Sequence, residues 1–484
     1  MSRKIFYIVL SVFGAAVWLF FALACPGQLH FIEGNQAFLY TFCYARETIC
    51  EAGGIANYIG AFLSQFYYWP LLGGLLIATL SVLTALALER LCRSSVLLPL
   101  CLIPSAAYTI LLCDPNWTLA GFVAICATLW VVAGLCRIKN KPVRYVSLAL
   151  AAPLVFQTLL RAKFFEYMIA PVELYRIVTG ACAAIAVCVS LVNLRKEKMA
   201  LQIILYVVIF TATGVGMVKR HDNLDEEIHR YGYMVRVRDW DGILKAASKK
   251  EPASPVSTNA VNLALLMKGE LGERMFTFFQ KGPRSLVNFE ERQVSSEILF
   301  LCGFVNEAQH VAFEDMAANP NRTRGVYHLT RLAQFGAVGN RSKELNYKYL
   351  NTLKQTLFYR NFEPDTTLVS PGMEPCADFF FDFSNFERNL RILHDQRPDN
   401  RRVSEYLAAS MLLNKNLQEF VETFCQGEGL PRHWREAKGL IDTYTGRPPT
   451  EDLARYIQAF NNVRGNGNKM SRYAGTYWYY FNFR

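Results

Sequence analysis

A chain of 484 residues that is 52% hydrophobic and 19% charged, with a slightly positive mean hydropathy, is too apolar for an ordinary soluble enzyme of two or three domains. Its 51 basic and 40 acidic residues leave a formal charge of +11. Up to Val218 they number 15 and 8, and beyond it 36 and 32, so most of the excess sits in short segments between apolar runs. Membrane insertion accounts for that placement, and nucleic acid is set aside as a partner.

The first apolar run, 5–24, is long enough to cross a bilayer. Arg3-Lys4 before it and FALAC at its end imitate a signal peptide, but the length of the run and Ala22 three residues before Cys25 favour an uncleaved span. Next comes a long loop, 25–67, that is not polar enough for a loose linker. It opens with LHFIEGNQAFLYTFCYARE, where one carboxylate, Glu33, stands amid aromatic groups. At a water boundary, part-desolvated by Phe31, Phe38 and Tyr40, that carboxylate is a candidate general base; an ordinary hydrogen-bonded acid is the alternative. Cys43 and Cys50 in the same loop are open to both a disulfide and free thiols. Gly53-Gly54 then reads as a hinge before an interfacial helix whose apolar stripe is Ile55, Ile59, Phe62, Leu63 and Phe66.

Six further apolar runs follow at 68–88, 95–113, 117–135, 145–160, 177–194 and 199–218, the third of the seven interrupted by Pro99 and Pro104. With the N-terminus inside, the cytoplasmic loops hold eleven basic residues against four in the opposite short loops, Arg46, Arg161, Lys163 and Arg176. Seven spans then deliver everything after Val218 to the outer side, the periplasm of a Gram-negative cell. Few polar groups lie within the spans, Gln157 and Gln202 being the main ones, which argues against a transport pathway. Arg161 and Lys163 lie on the same side as Glu33, and as candidates could hold the phosphate of a lipid or serve as headgroup anchors.

Just past the last run, His221, Asp225 and His229 recur every four residues. One helical face would present them to a metal ion, although acids also simply favour a helix start. Residues 219–484 then show helical periodicity broken by short turns. Pairs are expected at 223–236 with 240–249, 257–268 with 271–280, 290–302 with 305–317, 323–334 with 341–353, and 401–414 with 416–425. The stretch 360–395, with Pro371, Pro375 and Phe379-Phe380-Phe381, breaks the pattern and reads as an inserted loop that docks its aromatics. The final TYWYYFNFR fits either a buried closing helix or an interfacial anchor. No HExxH, paired CxxC, phosphate-binding glycine loop or GxSxG is present.

Three resemblances add to these readings. In SEILFLCGFVNEAQHVAFEDMAANP, Gly303, Ala308 and Asn319-Pro320 fall where a tetratricopeptide repeat has its glycine, alanine and closing proline. MKGELGERMF and RVRDWDG keep that pattern less well. One span, a long outer loop with an early acid and a second surface helix, GGIANYIGAFLSQF, is similar to membrane glycosyltransferases of the C-type fold. That resemblance implies Glu33 as base, Arg161 and Lys163 on a polyprenyl-phosphate sugar, and a divalent metal ion as cofactor. Finally HFIEGNQAFLYTF, AGGIANYIGAFLSQF, NEAQHVAFEDMAANP and KYLNTLKQTLFYR resemble an uncharacterised family of bacterial inner-membrane proteins, which implies architecture and no activity. The expectation is an all-α protein: a polytopic transmembrane bundle over 1–218 that contacts membrane lipid, then a periplasmic tetratricopeptide-like α-solenoid over 219–484. The solenoid would bind an envelope protein or peptide.

Overall fold

The structure, a computed structural model, describes residues 2–161, 172–192, 199–318, 325–339, 343–368, 380–463 and 466–484. The fold is all-α, with no β-strand among the described residues. The chain forms two compact units. The first comprises Met1–Glu226, Met316–Leu329 and Asn351–Phe362, and the second comprises Glu227–Asp315, Thr330–Leu350 and Glu363–Arg484. Two segments that sequence reasoning places in the C-terminal region thus pack within the first unit.

The first unit begins with α1 (Ser2–Ala24), then α2 (Pro26–Gly34), α3 (Phe42–Cys50) and α4 (Gly54–Ser64) in the long loop, and α5 (Pro70–Leu91). Next are a 3-10 stretch, Ser95–Leu102, running into α6 (Ile103–Leu111), and α7 (Leu119–Leu135). Then come α8 (Lys141–Val155), which continues through a π turn to Leu160, α9 (Val172–Leu191) and α10 (Met199–Arg220). All seven expected runs are helical, but among the described residues five are long and apolar enough to cross a membrane: Arg3–Ala24, Pro70–Leu91, Lys141–Leu160, Leu174–Leu191 and Met199–Arg220. The other two, Ser95–Leu111 and Leu119–Leu135, have fewer residues; the all-α one, Leu119–Leu135, rises roughly 25 Å against a core of roughly 30 Å. Pro99 lies inside the 3-10 stretch, where the missing N–H prevents a regular α-helix. Both short helices lie in the interior of the unit, with Cys101, Leu102, Phe122 and Ala124 fully buried.

Helix pairs here meet through small residues. Ala56, Gly60 and Ser64 form the buried face of α4, which packs on α7; a Cβ on Gly60 would lie 2.8 Å from the Ala120 backbone. Of the expected outward stripe Ile55 and Ile59 stay exposed, whereas Phe62 packs on Phe38, Phe66 on Phe358 and Leu63 on the core. The Gly53-Gly54 pair is fixed rather than loose, since the Gly53 N–H donates to Gln157 O at 2.8 Å.

The chain enters the second unit along α11 (Asn223–Arg236), whose residues up to Glu226 belong to the first, and continues through α12 (Trp240–Lys249), α13 (Pro255–Lys268), the single turn α14 (Leu271–Arg274), α15 (Arg292–Cys302) and α16 (Val305–Ala318), which belongs to the first unit from Met316 on. Helix α17 (Val326–Gly339), whose residues up to Leu329 belong to the first unit, and α18 (Lys343–Leu353), whose residues from Asn351 do, precede α19 (Phe386–Gln396), α20 (Arg401–Leu413), α21 (Leu417–Phe424), α22 (Arg432–Tyr444), α23 (Glu451–Asn462) and α24 (Tyr477–Phe483). The helix expected over 271–280 stops at Arg274, because Phe276 is drawn into a ring cluster with His433, Tyr477 and Tyr480. Beyond it Asn262 ties Gln280 and Ser285 into a turn. Helices α19, α22, α23 and α24 are additions to the expected pairs. Helix α20 packs on α13, α14 and α15 as well as on its neighbours α19 and α21.

Five hairpins of this unit close with one turn. In each, a residue with positive φ follows the helix, and the next N–H reaches back five residues: Asp239 to Met234 O, Glu270 to Leu265 O, Phe304 to Leu299 O, Asn416 to Met411 O and Arg447 to Asp442 O, all at 2.8–2.9 Å. The positive-φ residue is glycine at 269, 303 and 446 but Arg238 and Lys415 at the other two. TYWYYFNFR forms the buried closing helix, since the Tyr477 and Tyr480 hydroxyls donate to Leu412 O and Leu413 O and the Trp478 indole donates to Glu436 O. Of the aromatic run at 379–381, Phe381 docks against Phe289 and Phe304 while Phe380 is exposed; Phe379, Pro371 and Pro375 lie outside the described residues.

Candidate functional site

Glu33 sits near the end of α2. Pro26 starts that helix, where its missing N–H costs nothing. The next two N–H groups, of Gly27 and Gln28, both donate to the Glu226 carboxylate, at 2.6 and 2.8 Å. An anion from 198 residues downstream thus satisfies orphan donors and opposes the helix dipole. Nearly the whole helix is buried, and Glu33 itself is 3% exposed.

The segment after α2 is enclosed by two downstream segments of the same unit. Val326 N–H donates to Gln36 O at 3.2 Å, Tyr40 N–H donates to Gln355 O at 2.9 Å, and Gly325 presses on Gly34 so closely that a Cβ would lie 2.5 Å from its carbonyl oxygen. The Tyr359 hydroxyl donates to Glu33 Oε1 at 2.7 Å. Phe358 stacks on Tyr68, ring centres 4.8 Å apart, and meets Trp69 edge-on, which fixes the backbone that carries Tyr359. On the other side Phe38 is the hub of a ring cluster with Tyr40, Tyr44, Tyr58 and Phe62 at 5.0–5.4 Å. The aromatic groups around Glu33 are therefore chiefly a packing layer. Between them a crevice lined by Glu33, Gln36, Gln65, Thr356 and Tyr359 has space for on the order of one water molecule.

The other expected site residues do not gather there. Arg161 is exposed, donates to Gln157 Oε1 at 2.9 Å, and does not line the crevice. Lys163 lies outside the described residues. Helix α10 ends at Arg220 and α11 starts at Asn223, so His221 falls in the break and the four-residue spacing with Asp225 and His229 does not run along one helix. The His221 Nδ1 lies 3.6 Å from the Cys25 thiol and its ring packs on Phe20. Burial lowers the His221 imidazole and raises the Asp225 carboxyl, and pushes His229 down to about 4. Among the described residues no three His, Cys, Asp or Glu side chains are placed to hold a metal ion.

Cys43 and Cys50 are free and exposed. Seven residues apart on one helix, their Cα atoms are separated by roughly 10 Å, beyond the reach of a disulfide.

One family spans nearly the whole chain: the family described as "Family of unknown function (DUF6057)" matches residues 2–160 and 156–484. The chain belongs to DUF6057. No curated protein and no solved structure matches it. In this DUF6057 chain the partner that sequence reasoning missed is Tyr359. KYLNTLKQTLFYR and HFIEGNQAFLYTF both stood out in the sequence, but nothing in either stretch signals that one closes over the other. The clamp of Glu226 on α2 was equally silent, because an acid at a helix start is read as serving its own helix.

Proposed function

We propose that this DUF6057 protein is an integral bacterial inner-membrane protein with its N-terminus in the cytoplasm. Its C-terminal helical unit, a tetratricopeptide-like stack, faces the periplasm and binds an envelope protein or peptide. Five long apolar helices support the membrane reading. The two shorter apolar helices come as a consecutive pair, so the side reached by the C-terminal unit is the same whether or not they cross. The eleven-to-four bias of basic residues supports the orientation. The observation that carries the docking role is the single turn geometry shared by five hairpins, since repeated helix pairs of this kind build extended binding surfaces.

Native thiols test the sidedness. Cys43, Cys50 and Cys136 are all exposed. A membrane-impermeant maleimide should label Cys43 and Cys50 in intact spheroplasts and reach Cys136 only after permeabilisation; the reverse pattern places the C-terminal unit in the cytosol. Photocrosslinking from Tyr444, 77% exposed, should then trap an envelope protein.

The second reading is an outer-facing transferase using a lipid-linked sugar, with Glu33 as base, Arg161 and Lys163 on the phosphate and a divalent metal as cofactor. Its support is the crevice that opens on Glu33. A sugar needs far more room than one water, so Tyr359 and Phe358 would have to move aside for this chemistry. Glu33→Gln keeps an acceptor for Tyr359 and removes the base, and a changed envelope glycan with folded protein would favour this reading.

A further inference from the structure

The second unit contains a cleft of ≈990 Å³ between α22, α23, the turn Gly467–Tyr473 and the start of α24. That is at the upper end of volumes that hold ligands. Four guanidinium groups line it, from Arg432, Arg435, Arg455 and Arg472, against two carboxylates, Glu436 and Asp452. Most of this charge is already committed. Glu436 is buried, and its oxygens accept from Arg432 Nε at 2.9 Å, from His433 Nδ1 at 2.9 Å and from the Tyr477 N–H at 2.7 Å, so it neutralises Arg432 and has little left to offer a ligand. Arg455 pairs with Glu451 and Asp452 at 3.2 and 3.8 Å.

Two cations remain. Arg472 lies over the Tyr473 ring at 4.7 Å and donates to its hydroxyl, both neutral partners. The Arg435 guanidinium makes no hydrogen bond or ion pair among the described residues. The same cleft is also lined by neutral amides, Gln458 and Asn462 on α23. Helix α23 is 12 residues, about 18 Å, long enough to lie beside five residues of extended chain.

We propose that this cleft binds an acidic peptide segment, with Arg435 and Arg472 each taking a carboxylate through a paired N–H fork and the α23 amides meeting the peptide backbone. The proposal rests on the docking reading and names the partner's chemistry. A simple inorganic oxyanion would have no use for the amide-lined wall, and a cationic or neutral peptide would leave two guanidinium groups unmatched.

The test uses the full chain purified in detergent micelles and a fluorescein-labelled heptapeptide of alternating Glu and Ser, read by anisotropy. A Gln-for-Glu version and inorganic pyrophosphate serve as competitors. The Glu peptide should bind, at least about tenfold tighter than its Gln version, and lose several-fold affinity between low and moderate salt. The double variant Arg435→Gln with Arg472→Gln should weaken binding about tenfold or more with an unchanged melting curve, both side chains being exposed. Arg435→Lys should recover only part of the loss. Equal binding of the Gln peptide, an unaffected double variant, or displacement by pyrophosphate at concentrations below the peptide's own would each overturn the proposal. The purified chain has no sidedness, so a cytosolic C-terminal unit would defeat the periplasmic reading and leave this result standing. An envelope partner trapped from Tyr444 without acidic-peptide binding would do the opposite.

Discussion

The two units are built with opposite economies. In the first, large apolar side chains point outward, with Leu150, Ile177 and Val207 60–71% exposed, and helices meet through small residues such as Gly60 on Ala120. A Ser105 hydroxyl reaches across to Ser81 O at 2.7 Å, between helices that share an apolar core. In the second, Phe300 and Phe335 are fully buried with ring centres 4.6 Å apart, and the exposed face of α23 carries Glu451, Asp452 and Arg455. When the surroundings are as apolar as the side chains, hydrophobic burial cannot drive helices together, and close fit between backbones must do so. Where water surrounds the chain, large side chains do the packing, and turns and caps decide where each helix ends.

The comparison breaks most sharply at a charge buried in the second unit. Arg331 Nε lies 3.0 Å from Glu297 Oε2, and Glu297 is fully buried. Arg331→Ala would leave that carboxylate to the more distant Arg238, whose Nε lies 3.9 Å from Oε1, and should cost about 3 kcal/mol. Thermal unfolding of the purified protein should show a much larger loss than Arg455→Ala, whose partners are exposed.

A second effect depends on pH. Burial holds the His229 imidazole at about 4, below its ordinary 6.5, so the folded protein binds fewer protons than the unfolded chain between those values. Its contribution to stability is therefore full above pH 6.5 and is lost as pH falls toward 4, by up to about 3 kcal/mol. His229→Gln should flatten the melting temperature across that window; an unchanged pH profile would show that His229 titrates normally.

Close fit is tested at Gly60. A valine there must push α4 off α7, at a cost of about 1–3 kcal/mol, whereas Gly134→Ala and Gly214→Ala, where an added Cβ meets nothing within 4 Å, should cost nothing and gain up to about 1 kcal/mol from helix propensity. Equal losses at all three positions would show that small residues are not what seats these helices. Glu226→Gln is smaller still: it keeps one acceptor for the α2 N–H groups but removes the charge, and should cost about 1–2 kcal/mol in detergent melts.

These contrasts also mark what a sequence discloses. Every apolar run became a helix, since runs of Leu, Ile and Val are local statements. The turn at Gly303 was equally visible, because a positive φ there asks for glycine and the sequence supplies one. The closure of Glu33 was not. Tyr359 comes 326 residues later, from a segment that sequence reasoning placed with the C-terminal hairpins. Three-residue and four-residue periodicities carry no record of such a return. The four-residue spacing of His221, Asp225 and His229 does not become one helical face for a local reason instead: α10 ends at Arg220 and α11 starts at Asn223, which leaves His221 in the break.

The smallest effect tests whether the five hairpin turns are one device. Lys415 adopts φ of 60° in the place held by glycine at 269, 303 and 446, and L-residues pay about 1 kcal/mol or more there. Its ammonium also lies over Tyr480 at 5.8 Å, a contact worth about 0.5 kcal/mol at most at such a distance. Lys415→Gly relieves the strain and gives up that contact and some chain entropy, for a net gain of about 0.5 kcal/mol. Lys415→Asn, which tolerates the same backbone, should fall between the two, and Gly303→Ala should lose about 1 kcal/mol or more by the same steric rule. If Lys415→Gly instead melts lower than the unaltered protein, the packing over Tyr480 holds that hairpin, and the shared geometry of the five turns is convergence of contacts rather than a repeated backbone rule.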